Sequence, residues 1–338
     1  MTKHGGDIYS FAKQLNCLPE QIIDFSANIN PQQAVNWQTL TPINLSAYAE
    51  PHYNDLKTAL RQRYPHPPNS DIEVFNGASA AIFALLRHLK SKNIVLYAPL
   101  YGEYSKIAQQ LNSQLHIINR FDNIAAMIPA YSTIIFVNPS TPDGRYYPLD
   151  KLLKTWQAAN CTIIIDESFL DFCDALSVIN YLTTIEHLYI IKSLSKFYGC
   201  AGIRIGFISA SIQAITALKQ QEPAWKLSSF DMAYMQQALT NKQFITQTQQ
   251  QTSTQRRLLH QVLSESNLFD KIYPSEANFI LARLKTIDGN YLQAHLAKSH
   301  ILIRLCDSFQ GLSTKHIRFA VKDTAAITQL ARSLSCLN

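Results

Sequence analysis

The sequence predicts an α/β fold, in which a mostly parallel sheet flanked by helices forms a large domain and a small α/β domain follows. Short apolar runs alternate with helical stretches between about residue 54 and residue 208. Such alternation is typical of a parallel sheet covered by helices on both faces. A long, polar, Gln-rich stretch then separates these elements from a shorter α/β pattern. With 338 residues, the chain is long enough to form two such units.

The apolar runs predict the strands of the large domain. Each run is short and apolar, as buried strands are. The predicted strands are Ile72–Phe75, Asn93–Tyr97, Gln114–Ile118, Thr133–Val137, Thr162–Ile165, Leu188–Ile191 and Ile205–Ile208. Helices are predicted before and between them, at Ile8–Leu15, Asp55–Tyr64, Ala78–Leu89, Gly102–Leu111 and Leu149–Ala159.

The last third of the chain has a different pattern. From Ile212 to about Leu263, heptad-like apolar spacing within a Gln-rich segment predicts two long helices. Three strands and a closing helix are predicted beyond that segment, at Asn278–Leu281, Ile301–Arg304, Ile317–Val321 and Thr324–Leu334. These elements predict a smaller α/β unit.

Composition narrows the functional class. The chain is 47% apolar and 16% charged with a net charge of +6, and its basic residues are scattered. A nucleic-acid partner is therefore not expected, whereas mild positive charge favours an anionic substrate. No apolar run reaches transmembrane length and the first residues lack a signal-peptide pattern, so we expect a cytoplasmic protein without membrane contact. The six cysteines show no metal-ligand spacing, and no metal site is expected.

Three consecutive predicted strands are followed by residues of one chemical set, namely Asn138, Asp166 and Lys196. Ligands of such sheets bind beyond the carboxyl ends of the strands. Pyridoxal phosphate needs a lysine that forms a Schiff base, a carboxylate that keeps the pyridine nitrogen protonated, and a donor to the ring's phenolate oxygen. The three residues together therefore predict a pyridoxal phosphate site, although the lysine motif alone favours an ordinary surface lysine.

Phosphate-binding groups are predicted close to that site. Ser193 and Ser195 precede the lysine and Arg204 follows it, so hydroxyl and guanidinium donors are available for a phosphate dianion. Upstream, Asn76-Gly77-Ala78-Ser79 opens a helix, and free N–H groups at a helix start bind phosphate. Gly-Ala-Ser is also a common helix entry, however. The position of Tyr101 is equally consistent with two roles, a ring that stacks on the cofactor and a tyrosine of the core.

The order and spacing of these motifs resemble the fold-type-I pyridoxal phosphate enzymes of the aspartate aminotransferase superfamily over nearly the whole chain. Within that superfamily the chain resembles the histidinol-phosphate aminotransferase branch, and there the threonine-phosphate decarboxylases of cobalamin biosynthesis. The segments that carry this finer resemblance are His4-Gly5-Gly6, Asp24-Phe25-Ser26-Ala27-Asn28-Ile29-Asn30-Pro31, Tyr48-Ala49-Glu50-Pro51, Asp166-Glu167-Ser168-Phe169 and Trp225-Lys226-Leu227-Ser228.

The resemblance implies a role for each cofactor-binding position. Lys196 would form the Schiff base, Asp166 would pair with the pyridine nitrogen, and Asn138 would donate to the ring oxygen. Tyr101 would stack on the ring. The cofactor phosphate would be held by Ala78, Ser79, Ser193, Ser195 and Arg204.

The resemblance also implies a homodimer with its active sites at the interface, where Tyr48 would reach the phosphate bound by the partner subunit. Arg304 and Arg318 would hold the anionic groups of the substrate, and His4 and Asn28-Ile29-Asn30 would line the substrate mouth. We expect residues 1–40 to form an arm that packs with the small domain. Residues 41–215 would form the large cofactor-binding domain, and residues 216–338 the linker helices and the small domain.

One departure from the aminotransferase pattern bears on the reaction. Phe169 stands where these aminotransferases usually have a tyrosine, and decarboxylases of this kind often carry phenylalanine there. The resemblance therefore implies decarboxylation of a small phosphorylated amino acid. A histidinol-phosphate-type aminotransferase and a non-catalytic binding protein of the same fold remain as alternatives. The sequence leaves the choice among threonine phosphate, serine phosphate and histidinol phosphate open.

Overall fold

Short apolar runs form most of the strands, as expected. The computed structural model describes residues 5–40, 43–44 and 46–337. The strands in these ranges are β1 (Ile23–Asp24), β2 (Ser70–Asn76), β3 (Asn93–Ala98), β4 (Gln114–Asn119), β5 (Thr133–Val137), β6 (Thr162–Asp166), β7 (Leu188–Ser193), β8 (Ile205–Ser211), β9 (Phe269–Ile272), β10 (Phe279–Leu284), β11 (Ile301–Leu302), β12 (Arg304–Leu305) and β13 (His316–Ala320).

Helices separate most of the strands. The α-helices of the described residues are α1 (Ile8–Leu15), α2 (Asn54–Arg63), α3 (Gly77–Leu89), α4 (Gly102–Gln110), α5 (Asp150–Ala158), α6 (Leu194–Phe197), α7 (Ile212–Lys219), α8 (Ser229–Thr240), α9 (Lys242–Glu265), α10 (Gly289–Ala297) and α11 (Thr324–Ser335). None of the helices in the described ranges is both long and apolar enough to cross a bilayer.

The largest sheet of the described chain has the strand order β2-β8-β7-β6-β5-β3-β4. Strand β8 runs antiparallel to its neighbours β2 and β7, and the other neighbouring pairs are parallel. Because β5, β6 and β7 are parallel neighbours, the residues that follow them meet at one edge of the sheet. Helices α3 and α4 pack on one face of this sheet and α5 packs on the other. Burial on both faces explains why its strands are nearly continuous apolar runs.

A second sheet of the described residues is antiparallel, in the order β12-β13-β10-β9, and β1 pairs in parallel with β11. The prediction of one strand over Ile301–Arg304 is wrong, because β11 and β12 belong to different sheets. The side chain of Gln293 causes this break. Its Nε2 donates to the Ile301 carbonyl at 2.9 Å, and its Oε1 accepts from the Ile303 N–H at 2.8 Å.

The prediction of two long helices between Ile212 and Leu263 is also wrong, since α7, α8 and α9 occupy this region. Residues 220–228 leave the helical path after α7, and Ser228 Oγ then caps α8 by accepting from the Asp231 N–H at 3.0 Å. Asn241 separates α8 from α9, and its side chain accepts from the Phe244 N–H at 3.0 Å. Two polar capping residues therefore interrupt a segment whose apolar spacing predicts longer helices.

Candidate active site

A cavity of about 320 Å³ lies beyond the carboxyl ends of β5, β6 and β7. The second sheet and the segment that follows β1 close it from the other side. The residues proposed from sequence that line this cavity are Asn28, Ile29, Ala78, Ser79, Tyr101, Asp166, Ser193, Ser195, Lys196, Arg204, Arg304 and Arg318. The topology therefore brings together residues that are up to 290 positions apart (Asn28 and Arg318).

Lys196 lies on the short helix α6, directly after β7. Its Nζ is 4.7 Å from the centre of the Phe169 ring. Burial lowers the pKa of Lys196 to about 8; Asp166 opposes this change, and Arg318 and Arg204 add to it. A lysine with this pKa has a neutral fraction near physiological pH, which is the form that attacks carbonyl carbons.

Asp166 ends β6 and has partners for both of its carboxylate oxygens. Its Oδ1 accepts from the Ser168 N–H at 2.9 Å, and its Oδ2 accepts from the Tyr104 hydroxyl at 2.8 Å. Burial, together with the charge of Asp166, raises the pKa of Tyr104 well above its usual value, so Tyr104 stays protonated as the donor. A buried carboxylate held in this way suits the protonated nitrogen of a pyridine ring.

The start of α3 and Arg204 form a cradle for an anion. Gly77 has a φ of +76°, and a Cβ placed there would lie 2.5 Å from Arg204 Nη2. Within the described residues, no side chain caps the start of α3. Arg204 Nη1 also donates to Ser195 Oγ at 3.2 Å. Ser195 Oγ in turn donates to the Ile203 carbonyl at 3.0 Å, so the backbone N–H groups of α3 and the Arg204 guanidinium are the donors that converge as phosphate binding requires.

Asn138 and Tyr101 take up positions beside this cradle and Asp166. The Asn138 N–H donates to the Asp166 carbonyl at 2.8 Å, and its side chain exchanges two hydrogen bonds with the backbone of Tyr147. These contacts use one of the two Nδ2 protons of Asn138, and Asn138 is not among the residues that line the cavity. Tyr101 lines the cavity, and its hydroxyl is 3.2 Å from Ser79 Oγ.

Two arginines on adjacent strands form the opposite wall of the cavity. Arg304 of β12 and Arg318 of β13 are direct cross-strand partners. Arg318 Nη1 donates to Thr141 Oγ1 at 3.1 Å and its Nη2 donates to the Ser26 carbonyl at 3.0 Å. Burial lowers the pKa of Arg318 to about 10. Among the described residues no carboxylate lies within ion-pair distance of Arg318, so this wall attracts anions.

The segment after β1 provides the third wall. Asn28 is buried, and its Oδ1 has no hydrogen-bond partner among the residues that the structure describes. Asn30, by contrast, turns away from the cavity, because its Nδ2 donates to the Phe197 carbonyl at 3.0 Å and to Thr248 Oγ1 at 3.1 Å. Gly5 also lines the cavity, and a Cβ there would lie 2.2 Å from the Ser26 carbonyl oxygen. His4 lies outside the described residues.

Tyr48 does not line this cavity. It is 80% exposed and stacks on Trp225, with 4.6 Å between the ring centroids.

Three residues with contacts in the site were not predicted from the sequence, namely Tyr104, Thr141 and Ser168. For Tyr104 a signal existed, because it lies three residues after Tyr101 in the segment that follows the predicted strand Asn93–Tyr97.

The sequence profile of the aminotransferase class I and II family matches residues 20–334, and the chain belongs to this family. Its architecture is the fold-type-I architecture of that family. Pyridoxal phosphate is the cofactor. The residues of the site fit this group, since the cradle of Gly77 and Arg204 suits its phosphate, Asp166 suits its ring nitrogen and Lys196 suits its aldehyde.

Three similar proteins illustrate the range of this family. The chain is 29% identical over 347 residues to the adenosylcobalamin biosynthesis bifunctional protein CobDQ of Leptospira interrogans, covering 95% of this chain but only 39% of that protein. It is 28% identical over 349 residues to threonine-phosphate decarboxylase of Salmonella typhimurium, covering 98% and 95% of the two chains. The crystal structure of histidinol-phosphate aminotransferase from Clostridium acetobutylicum matches with a TM-score of 0.85 and 25% identity, covering 93% and 98%.

Proposed function

We propose that this protein decarboxylates L-threonine O-3-phosphate to (R)-1-amino-2-propanol O-2-phosphate, which would serve cobalamin biosynthesis. The observation that carries this proposal is Phe169, whose buried ring faces Lys196 Nζ at 4.7 Å. A phenyl ring cannot donate a hydrogen bond, so this position offers the cofactor no second phenolic donor. The similarity to a threonine-phosphate decarboxylase over 98% of this chain supports the same reaction.

The charge of the cavity supports a substrate with two anionic groups. Arg304 and Arg318 line the same cavity as Lys196, and hydrogen bonds from Arg318 to Thr141 and Ser26 fix its guanidinium. Two cations in one cavity can hold a carboxylate and a phosphate at the same time and thereby set the torsion about the bond next to the amine. This torsion decides whether CO₂ or a proton leaves from the α-carbon.

The residues of the site then have separate tasks. When bound, pyridoxal phosphate supplies an aldehyde that condenses with amines and a protonated ring that accepts the electron pair of the breaking bond. Asp166 keeps the ring nitrogen protonated, and Arg304 and Arg318 orient the substrate. Lys196, which lines the same cavity, donates the proton that replaces CO₂ on the α-carbon. The reaction needs no oxidant, because one C–C bond breaks and one C–H bond forms.

We also propose that the protein acts as a homodimer. Tyr48 and Trp225 form an exposed stacked pair outside the cavity of their own chain. Exposed aromatic pairs of this kind are typical of protein interfaces. In this arrangement Tyr48 would contact the cofactor phosphate of the partner subunit.

A second candidate function is transamination of a histidinol-phosphate-type substrate. The observation that favours it is the similarity to a histidinol-phosphate aminotransferase structure, with a TM-score of 0.85 at 25% identity. Both reactions would use Lys196, Asp166 and Arg318 in the same places. They differ in the bond that breaks and in the need for a 2-oxo acid acceptor.

A product assay on the purified enzyme loaded with cofactor tests the proposal. We expect CO₂ release from L-threonine O-3-phosphate without any 2-oxo acid, and less release from serine phosphate, which lacks one methyl group worth about 1–3 kcal/mol. The control variant Lys196→Ala should release none. The proposal is wrong if glutamate converts the bound cofactor to its amine form at a useful rate. Absence of both reactions would indicate the non-catalytic alternative.

A further inference from the structure

A buried ion pair lies beneath the floor of the cavity. Lys192 Nζ is 3.2 Å from Glu167 Oε2, and the two side chains are only 4% and 2% exposed. Glu167 directly follows Asp166, and Lys192 directly precedes Ser193. Because side chains alternate along a strand, the pair lies on the opposite face of the sheet from these two cavity residues.

Several hydrogen bonds fix the carboxylate of this pair. Glu167 Oε1 accepts from the Val178 N–H at 2.8 Å, and both carboxylate oxygens accept from Ser177 Oγ. The Glu167 backbone N–H donates to the Ile191 carbonyl at 2.8 Å, which is a contact between the ends of β6 and β7. The ion pair therefore joins the two strands at the position where each one enters the active site.

A second ion pair balances the charge around Lys192. Arg63 Nη2 is 3.3 Å from Asp171 Oδ1, and the Tyr64 hydroxyl donates to Asp171 Oδ2 at 2.8 Å. Lys192 Nζ lies 5.0 Å from the centre of the Tyr64 ring. Burial opposes the charged form, but the carboxylates of Asp171 and Glu167 raise the pKa of Lys192, so it remains a cation.

Stability alone is a weak reason for such a pair. Apolar side chains of similar volume often stabilise a protein as well as a buried ion pair does, or better. The nearby side chains Ile165, Ile190 and Val178 are apolar and buried, so an apolar pair would suit this environment. An ion pair differs from an apolar pair in one respect that matters here, because it fixes the distance and direction between two strand ends.

We infer that Lys192 and Glu167 are positioning residues for the active site. Their ion pair fixes the end of β6, which carries Asp166, relative to the end of β7, which leads through Ser193 to Lys196. Through these strands the pair sets the spacing between the carboxylate and the lysine that the cofactor must bridge. This inference rests on the cofactor site of the proposed function and not on the choice between decarboxylation and transamination.

The test replaces the pair by apolar residues in the full-length enzyme, as Lys192→Met/Glu167→Leu. We expect the variant to fold with a melting temperature up to about 10 °C lower, since no unpaired charge remains buried but the Val178 N–H and Ser177 Oγ lose their acceptor. We expect the dissociation constant of pyridoxal phosphate to rise about 10-fold or more, because small displacements of aligned groups weaken their combined action. The pH midpoint of the visible absorbance of the loaded enzyme should also shift. Both measurements need no substrate, so they do not depend on the reaction proposed above.

A second variant covers the case in which the double variant fails to fold. Glu167→Asp keeps the charge but shortens the side chain by one methylene group, so the carboxylate must pull the strand ends together or lose its contact with Lys192. We expect weaker cofactor binding in this variant. Adding Lys192→Arg, which has a longer reach, should restore part of the affinity.

The control is Lys57→Met, which removes one partner from another buried ion pair, between α2 and strand β2 of the same sheet. Lys57 Nζ is 2.7 Å from Glu73 Oε2, and Glu73 keeps its contact with Lys226 at 2.8 Å. Neither Lys57 nor Glu73 lines the cavity. This variant should lose stability without a change in the pH midpoint. The inference is overturned if the variants at Lys192 and Glu167 keep wild-type cofactor affinity and pH midpoint, or change them only as far as the control does.

Discussion

The two halves of the cavity differ in how completely their polar groups are satisfied. In the cofactor half, Asp166 has a donor for each oxygen and Arg204 is bonded to Ser195. In the substrate half, Asn28 Oδ1 and Arg318 Nε are buried without a hydrogen-bond partner among the described residues. The cofactor half is built mainly from the large sheet, whereas distant segments of the chain build the substrate half.

This difference indicates what each half does before a ligand binds. Groups that are already bonded to the protein are held in place and need little rearrangement when the cofactor binds. Unpartnered buried groups and paired like charges cost free energy, about 1–3 kcal/mol for each unmade hydrogen bond. An anionic substrate would accept from Arg318 Nε and offset the like charges of Arg304 and Arg318, whereas Asn28 Oδ1 needs a donor such as the substrate amine. The substrate half therefore contributes binding selectivity at the expense of stability, and each half can be tested separately.

The largest expected effect separates the two halves directly. Replacing Arg318 by methionine removes a fixed cation from the substrate half, and we expect kcat/KM to fall about 100-fold, equivalent to about 3 kcal/mol. Cofactor affinity should change less than about 3-fold, because Arg318 contacts Thr141 and Ser26 and no residue of the phosphate cradle. Steady-state kinetics and cofactor titration measure the two quantities.

A matched control for that variant is Arg283→Met, which removes a half-buried arginine of β10, outside the cavity, that pairs with Asp270 at 2.8 Å. Its kinetics should match the wild type. An equal loss of cofactor affinity and kcat/KM in Arg318→Met would show that the two halves do not act independently.

A smaller effect concerns the stability of the cofactor half in the cofactor-free protein. The pKa of Lys196 falls from 10.5 to about 8 on folding because of burial, so below about pH 8 folding must bury a charge. Between these values Lys196 is protonated more in the unfolded chain than in the folded one, so the contribution of this residue to stability rises with pH. Lys196→Met removes this cost and should stabilise the protein by about 2 kcal/mol near pH 7.

That gain should disappear as the pH approaches about 10.5, where lysine is neutral in both states. Urea denaturation of cofactor-free protein across this pH range measures it. Lys151→Met, at an exposed position of α5, is the control and should show no such pH dependence. A gain that stays constant with pH would mean that removal of the charge is not its cause.

The same contrast between the halves appears in what the sequence could predict. Asp166 and Lys196 follow apolar runs, and parallel neighbouring strands bring their ends together, so residue type and chain position suffice to group them. The cross-strand pairing of Arg304 with Arg318 depends on antiparallel register in the second sheet, which the sequence does not specify. The contact between Tyr104 and Asp166 depends in the same way on how α4 packs over the sheet.

The errors in the predicted helices and strands show which element boundaries are encoded by local sequence and which depend on distant contacts. Ser228 and Asn241 are good helix caps, so the starts of α8 and α9 could have been predicted from the sequence. The break between β11 and β12 could not, because it depends on hydrogen bonds from Gln293, a residue on the neighbouring helix α10. Local signals thus fix the strand ends of the cofactor half, whereas contacts between distant segments shape the substrate half.

The smallest expected effect tests whether the cofactor half is as fully bonded as its geometry indicates. Tyr104→Phe removes only the hydroxyl that donates to Asp166 Oδ2 at 2.8 Å. The ring can remain in its buried position, so the fold should be retained. Without this donor the carboxylate is less firmly held, and we expect cofactor affinity to fall about 10-fold, equivalent to about 1.4 kcal/mol. The KM for substrate should stay nearly constant, since Tyr104 does not line the cavity.

Tyr97→Phe is the matched control, because Tyr97 is also buried and its hydroxyl accepts from Trp156 Nε1 at 3.0 Å, away from the cavity. Both variants lose one buried hydrogen bond, so both should lose similar stability. Only Tyr104→Phe should lose cofactor affinity. Equal cofactor affinity in the two variants would mean that Ser168 alone holds Asp166, and the cofactor half would then tolerate an unmade hydrogen bond as readily as the substrate half does.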